Sequence, residues 1–242
     1  MVQKFDPFVL NDYRFSGPRT MPETEWHRDL MLQLIETLKA HFADDPNVYV
    51  SGDMFVHYEP GNKRRHVAPD VFMVRGVPKG QRPNYLIWEE GRAPEVVIEI
   101  ASDSTHDKDT GKKFQLYRDV LKVKEYFLFD REELNLTPSL QGFRLVDGVY
   151  QPIRLKDGRL PSRVLGLHLE RDGENLRFWN PEKDHWIPTP AERFDEERQR
   201  AEHERQRAEH ERQRADAAEH ELARLRAILA QRDNHANGKN GK

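Results

Sequence analysis

The apolar positions of this chain change period several times, and each change marks an element. Leu30, Leu34, Ile35, Leu38 and Phe42 fall at helical spacing. Thr20 or Thr24 can cap the helix they predict, and Asp45-Pro46-Asn47 ends it. Short β-branched and aromatic runs follow. Val48-Tyr49-Val50 and Met54-Phe55-Val56-His57-Tyr58 read as strand, Gly61-Asn62 as a turn, and Val71 to Val74 as the next strand. Tyr85-Leu86-Ile87-Trp88 and Val96-Val97-Ile98-Glu99-Ile100-Ala101 continue the series. Ser104, Thr105 or Asp107 can cap a second helix from about Asp109 to Leu121, and Glu125 to Asp130 is again strand-like. Beyond it the pattern becomes short strands between turns. Phe143 to Ile153 form a hairpin about Asp147-Gly148, and Leu165 to Leu169 and Leu176 to Trp179 flank Asp172-Gly173. A helix, a mixed sheet, a packed helix, more sheet and a C-terminal β region place the chain in the α/β or α+β class.

The pattern then stops. Ala-Glu-His-Glu-Arg-Gln-Arg occurs from Ala201 and again from Ala208, with a degenerate copy from Ala215. The seven-residue period aligns Ala201, Ala208, Ala215, Leu222 and Leu229, with Ala218 and Leu225 three residues after two of them, as in a coiled-coil seam. Glu204 and Glu211 occupy the earlier seam positions, so residues 196–214 read as a solvated helix held by Glu–Arg pairs worth a few tenths of a kcal/mol each. Self-association through residues 215–232 is expected instead. The expected organisation is an irregular segment over 1–20, a globular domain over 21–190, a charged heptad helix over 191–232 and a disordered tail over 233–242.

Composition changes this picture in three ways. Hydrophobic residues make up 36% of the 242 and charged residues 33%, but all four Trp precede Pro190, so the domain has an ordinary core available. The chain has no cysteine, which excludes disulfides, thiolate metal sites and Cys nucleophiles, and fits a cytoplasmic setting. The formal net charge is −3, so no global basic field draws the protein to nucleic acid, and no segment is apolar enough to cross a bilayer.

Glu99 is the chemical anomaly, a carboxylate inside the most apolar run of the chain. Burying it costs several kcal/mol unless a cation, backbone donors or a metal ion compensates. Asp70 repeats the arrangement in Pro69-Asp70-Val71-Phe72-Met73-Val74. Two carboxylates on neighbouring strands suit Mg²⁺ or Mn²⁺, hard cations that take oxygen ligands and keep waters. Lys113, on the helix after the Glu99 strand, is the candidate to orient water and offset charge. Each residue also has a structural reading: a turn cap for Asp70, a buried ion pair for Glu99, and an i, i+4 pair with Asp109 for Lys113.

These residues resemble a known family. Val67-Ala68-Pro69-Asp70-Val71, Pro94-Glu95-Val96-Val97-Ile98-Glu99-Ile100-Ala101-Ser102, Ser104-Thr105 with Asp109, Lys113 and Tyr117, and Val123 to Asp130 look like the Uma-two family of restriction-endonuclease-like proteins. The resemblance covers about residues 20 to 190. It implies the PD-(D/E)XK nuclease fold, a central mixed sheet flanked by helices, with Asp70 and Glu99 as its acids. Ala101 stands at the usual Lys position, and the resemblance implies that the lysine function has moved to Lys113.

Other candidates are weaker. Asp53 could supply a third metal-binding carboxylate, although a turn acid is the plainer reading. His27 begins the first helix and could approach the site. Asp130 reads as a turn residue, Tyr117 and Tyr126 as core. Lys63-Arg64-Arg65-His66 could meet a phosphate backbone, or simply be an exposed hairpin end. His203 and His210, seven apart, do not suit a metal. The leading expectation is therefore a Mg²⁺-dependent (or Mn²⁺-dependent) endonuclease hydrolysing DNA, with Asp70 and Glu99 on the metal and Lys113 activating water. The alternatives are an inactive nuclease-fold protein acting as a nucleic-acid-binding or assembly module through its C-terminal helix, and a coiled-coil adaptor whose function would not survive loss of residues 191–242.

Overall fold

The computed structural model of the chain describes residues 24–102 and 108–237. It divides into two units, Met1–Pro190 and Ala191–Lys242. In the first, helix α1 (Glu25–His41) starts after Thr24, which takes the extended backbone of a cap position (φ −69°, ψ 152°) without a side-chain capping bond. Its apolar stripe, with Leu30, Leu34 and Leu38, is buried as the spacing predicts.

Six strands form the central sheet: β1 (Val48–Ser51), β4 (Val71–Arg75), β6 (Val96–Ala101), β7 (Glu125–Asp130), β8 (Leu140–Val146) and β9 (Val149–Pro152), in the order β1-β4-β6-β7-β8-β9. The β6–β7 pair is parallel and its neighbours antiparallel, so the sheet is mixed. The crossover between the parallel strands includes two π-helical segments, Lys108–Lys113 and Leu116–Val120, in place of the expected α-helix. Leu121 N–H accordingly donates to the Leu116 carbonyl five residues back. The caps expected at Ser104, Thr105 or Asp107 lie outside the described residues.

Successive side chains of a strand point to opposite faces, and this alternation builds two cores. Val96, Ile98 and Ile100 of β6 join α1 in one, while Val97 and Ala101 join Tyr117, Tyr126 and Leu128 in the other. A smaller sheet of β10 (Leu160–Pro161), β11 (His168–Asp172), β12 (Asn175–Asn180) and β13 (His185–Trp186) adds Leu169, Leu176 and Phe178 to the α1 side. Buried Glu125 joins this region to β7, accepting from Arg144, Ser162 and the Arg163 and Val164 N–H groups.

Two local readings need correction. Strand formation in 54–58 is confined to β2 (Val56–His57), which pairs with β3 (His66–Val67) and β5 (Tyr85–Leu86) over two residues each. Ile87 and Trp88 leave the strand for a helical turn, α2 (Ile87–Glu90), which the left-handed Gly91 (φ 71°) closes. Two-residue strands such as β10 and β13 leave no periodic trace in sequence. The Asp147-Gly148 hairpin turn is as expected, both residues having positive φ (51° and 81°).

The second unit is one helix with its exposed repeat, α3 (Pro190–Asn237), 48 residues long. It continues past the expected boundary at 232. Leu222 and Leu225 of the heptad seam are about half exposed, at 54% and 48%. The segments 1–23 and 238–242, which hold most of the expected irregular and disordered stretches, lie outside the described residues.

Candidate active site

The strand alternation that separates the two cores also aims Glu99. It shares a face with Val97 and Ala101, under the π-helical segments, and is fully buried. Asp70 immediately precedes β4, one step beyond the Val71–Ile98 pair of the antiparallel ladder, so it lies across from Glu99. Backbone bonds lock the two acids together. Asp70 N–H donates to Glu99 Oε2 at 3.3 Å, and Ile100 N–H donates to Asp70 Oδ2 at 2.6 Å.

The covering helix supplies the rest. Lys113 Nζ donates to Glu99 Oε2 at 2.9 Å and pairs with Asp109 Oδ1 at 3.0 Å. Tyr117, one turn further, donates its hydroxyl to Glu99 Oε1 at 2.5 Å, and Tyr126 donates to the Asp109 carbonyl at 3.0 Å. From the opposite side α1 brings His27, whose Nε2 lies 3.4 Å from Asp70 Oδ1.

Two carboxylates, Glu99 and Asp109, thus contact one lysine, and a third, Asp70, is bonded to Glu99 through its backbone. Burial pushes the Glu99 carboxyl up; Lys113 pulls it back, while Asp70 and Asp109 add to the rise, and the net shift is upward. For Lys113, burial works downward, but Glu99, Asp109 and Asp70 overcome it and hold the ammonium well above the ordinary lysine range. Burial also raises the Tyr117 phenol well above its usual value, so it remains a donor to Glu99.

Asp70, Glu99 and Lys113 therefore converge as the sequence predicts, and both readings of Lys113 coexist, since its pair with Asp109 is present too. Asp53 sits in a bend after β1, exposed and in left-handed backbone (φ 46°), and among the described residues it joins no cluster of three metal-ligating side chains. Asp130 is not itself in a turn: it is the buried last residue of β7, and its side chain holds the turn that follows. Its carboxylate accepts from the N–H groups of Glu132, Asn135 and Leu136 at 3.2, 2.6 and 2.9 Å. Sequence reasoning missed the role of Tyr117, read as core, whereas His27 does approach the site, as its place at the start of the first helix allowed. The one available signal was that Asp109, Lys113 and Tyr117 recur every four residues, which stacks them on one helix side.

Gly52 was missed as well. A Cβ there would come within 1.9 Å of the Asp70 carbonyl oxygen and 2.7 Å of Ile35 Cδ1. The backbone can hold Asp70 in place only because that position has no side chain. Gly52→Ala is expected to destabilise the fold by about 1–3 kcal/mol and to displace Asp70. Denaturant melts with unchanged midpoints would count against this.

The sequence model of the family described as "Uma2: Putative restriction endonuclease" matches residues 18–174, well over half of the chain. The chain belongs to the Uma2 family. Among solved structures, the Uma2 chain is similar to the "putative nuclease belonging to DUF820" from Anabaena variabilis ATCC 29413, with 15% identity, a TM-score of 0.46, and coverage of 62% of this chain and 80% of that one. A search of curated proteins found no match. The Uma2 match spans Asp70, Glu99 and Lys113, and takes in most of the mixed sheet and its helical cover. Ala101, two residues beyond Glu99 and on the same face, is buried in the aromatic core. The ammonium beside Glu99 comes instead from the helix above it.

Proposed function

We propose that this Uma2 protein is a Mg²⁺- or Mn²⁺-dependent endonuclease that hydrolyses phosphodiester bonds of DNA. The observation that carries this reading is Lys113 Nζ and Asp70 N–H meeting on a single oxygen of the buried Glu99. The donor set fits a hard divalent cation. Asp70, Glu99 and Asp109 carry more negative charge than Lys113 neutralises, in a site whose burial makes such an excess costly. Among the described residues no three His, Cys, Asp or Glu side chains gather as ligands. A two-carboxylate site whose remaining positions go to water and phosphate accords with that, because Mg²⁺ retains its waters.

Asp70 and Glu99 would hold the ion, which when bound lowers the pKa of water and screens phosphate charge. The chain's own groups do the positioning. Tyr117 fixes the orientation of the Glu99 carboxylate through Oε1, and His27 lies against the Oδ1 side of Asp70. Lys113 presents an ammonium that stays protonated at working pH, suited to orienting water and stabilising charge that develops on the phosphate.

The expected result is DNA cleavage by the wild type with Mg²⁺ or Mn²⁺, reduced on the order of 10³-fold or more in Asp70→Asn. Equal cleavage by the two proteins would sink the assignment. The engagement of Lys113 by Asp109 favours a second reading, a nuclease fold kept as a binding or assembly module. Calorimetry separates them: an active centre takes up Mn²⁺ and loses this in Asp70→Asn, whereas a module takes up none.

A further inference from the structure

The β2–β3 hairpin carries an aromatic and basic cluster that the site does not use. Phe55 is 50% exposed and belongs to neither core. Its ring is nonetheless held in place, with the His66 ring 4.4 Å and the His57 ring 6.1 Å away, centroid to centroid. His57 and His66 are cross-strand partners 5.2 Å apart. In the adjoining loop, where the His66 ring lies 2.9 Å from the Lys63 carbonyl oxygen, Arg65 is bound to Glu59 at 3.0 Å. Lys63 and Arg64 are exposed and, among the described residues, make no ion pair. In a chain of net charge −3 this is a local positive group beside an aromatic face. It is also joined to the site: Asp53 N–H donates to the Pro69 carbonyl at 2.9 Å, and Asp70 follows β3 by three residues.

We propose that this hairpin binds an unpaired stretch of the DNA beside the cleaved bond, with a base stacked on Phe55 and phosphates on Lys63 and Arg64. The inference rests on the nuclease reading. A rigid, exposed aromatic face accepts a base only when the base has left its own stack, which favours single-stranded over duplex DNA. Lysine and arginine at the turn supply contacts to the backbone that carry no sequence preference. His57 and His66 buttress the Phe55 ring.

The test uses full-length protein in EDTA, so that chemistry is silent, and reads anisotropy of labelled oligothymidylate and of a duplex of equal length. Tighter binding to oligothymidylate is expected. Phe55→Ala should weaken it about tenfold. Lys63→Ala/Arg64→Ala should make the slope of log K against log salt shallower by about 1.4. Unchanged binding in Phe55→Ala, tighter binding to the duplex, or no binding to either would overturn the proposal. Mn²⁺ calorimetry on the same proteins reports the nuclease reading separately. Hairpin variants keep wild-type metal uptake if only the hairpin proposal fails. A wild type that binds oligothymidylate but no Mn²⁺ strikes the nuclease reading alone.

Discussion

Glu99→Gln is expected to abolish cleavage and divalent-metal uptake while leaving the melting temperature unchanged or higher. The substitution keeps the shape of the side chain and removes one of the three negative charges gathered around Lys113. Its amide can be satisfied in place: the oxygen accepts from Lys113 and Asp70 N–H, and the NH₂ donates to the Tyr117 hydroxyl, which also accepts. Lys113 keeps Asp109 as its counter-charge at 3.0 Å. The raised Glu99 carboxyl sets the sign of the pH dependence. A carboxyl raised in the folded state binds its proton more tightly there than in the unfolded chain, so its contribution is greatest in acid and is lost as pH rises above the ordinary glutamate range. The Gln variant lacks this slope, and its advantage should grow towards neutral pH. Calorimetric melts over a pH series check this. A variant that melts several degrees lower at neutral pH, or that still takes up Mn²⁺, would refute it.

The division between what was legible in the sequence and what was not follows the range of the interactions. Glu99 stood out because a strand of Val and Ile normally excludes a carboxylate, and Asp70 because it repeats that context. Lys113 could be placed because the helix after a strand in a parallel crossover must pack back over it. All three depend on local pattern plus one topological rule. His27 touches Asp70 across forty-three positions of sequence, and only the packing of α1 on β4 determines that contact. Gly52 is required by a backbone approach to Asp70 that no periodicity records. Tyr117 could be read as core and was, since a phenol that donates to a buried carboxylate has the same apolar body as one that merely fills space. The π-helical winding over 108–120 likewise leaves no mark on the apolar pattern, which the side chains satisfy in either winding.

The opposite consequence is expected when the cation is removed. Lys113→Met preserves the length and apolar stem of the side chain but leaves Asp70, Glu99 and Asp109 without the ammonium that two of them contact. Breaking a buried pair by deleting one partner strands the other. A fifth of the Lys113 side chain is exposed, so the cost sits at the low end of the usual range, about 3 kcal/mol of unfolding free energy. The loss should be largest above the ordinary carboxylate range, where Glu99 is driven to ionise, and should shrink in acid as it protonates. Cleavage should fall with it, and stability and catalysis must then be separated. Adding Asp109→Asn removes one stranded charge without restoring an ammonium beside Glu99. The double variant should therefore regain part of the stability in urea melts and none of the cleavage. If it regained both, Lys113 would be a purely structural counter-ion. If it regained neither, the three acids would not share their charge through Lys113 as the distances require.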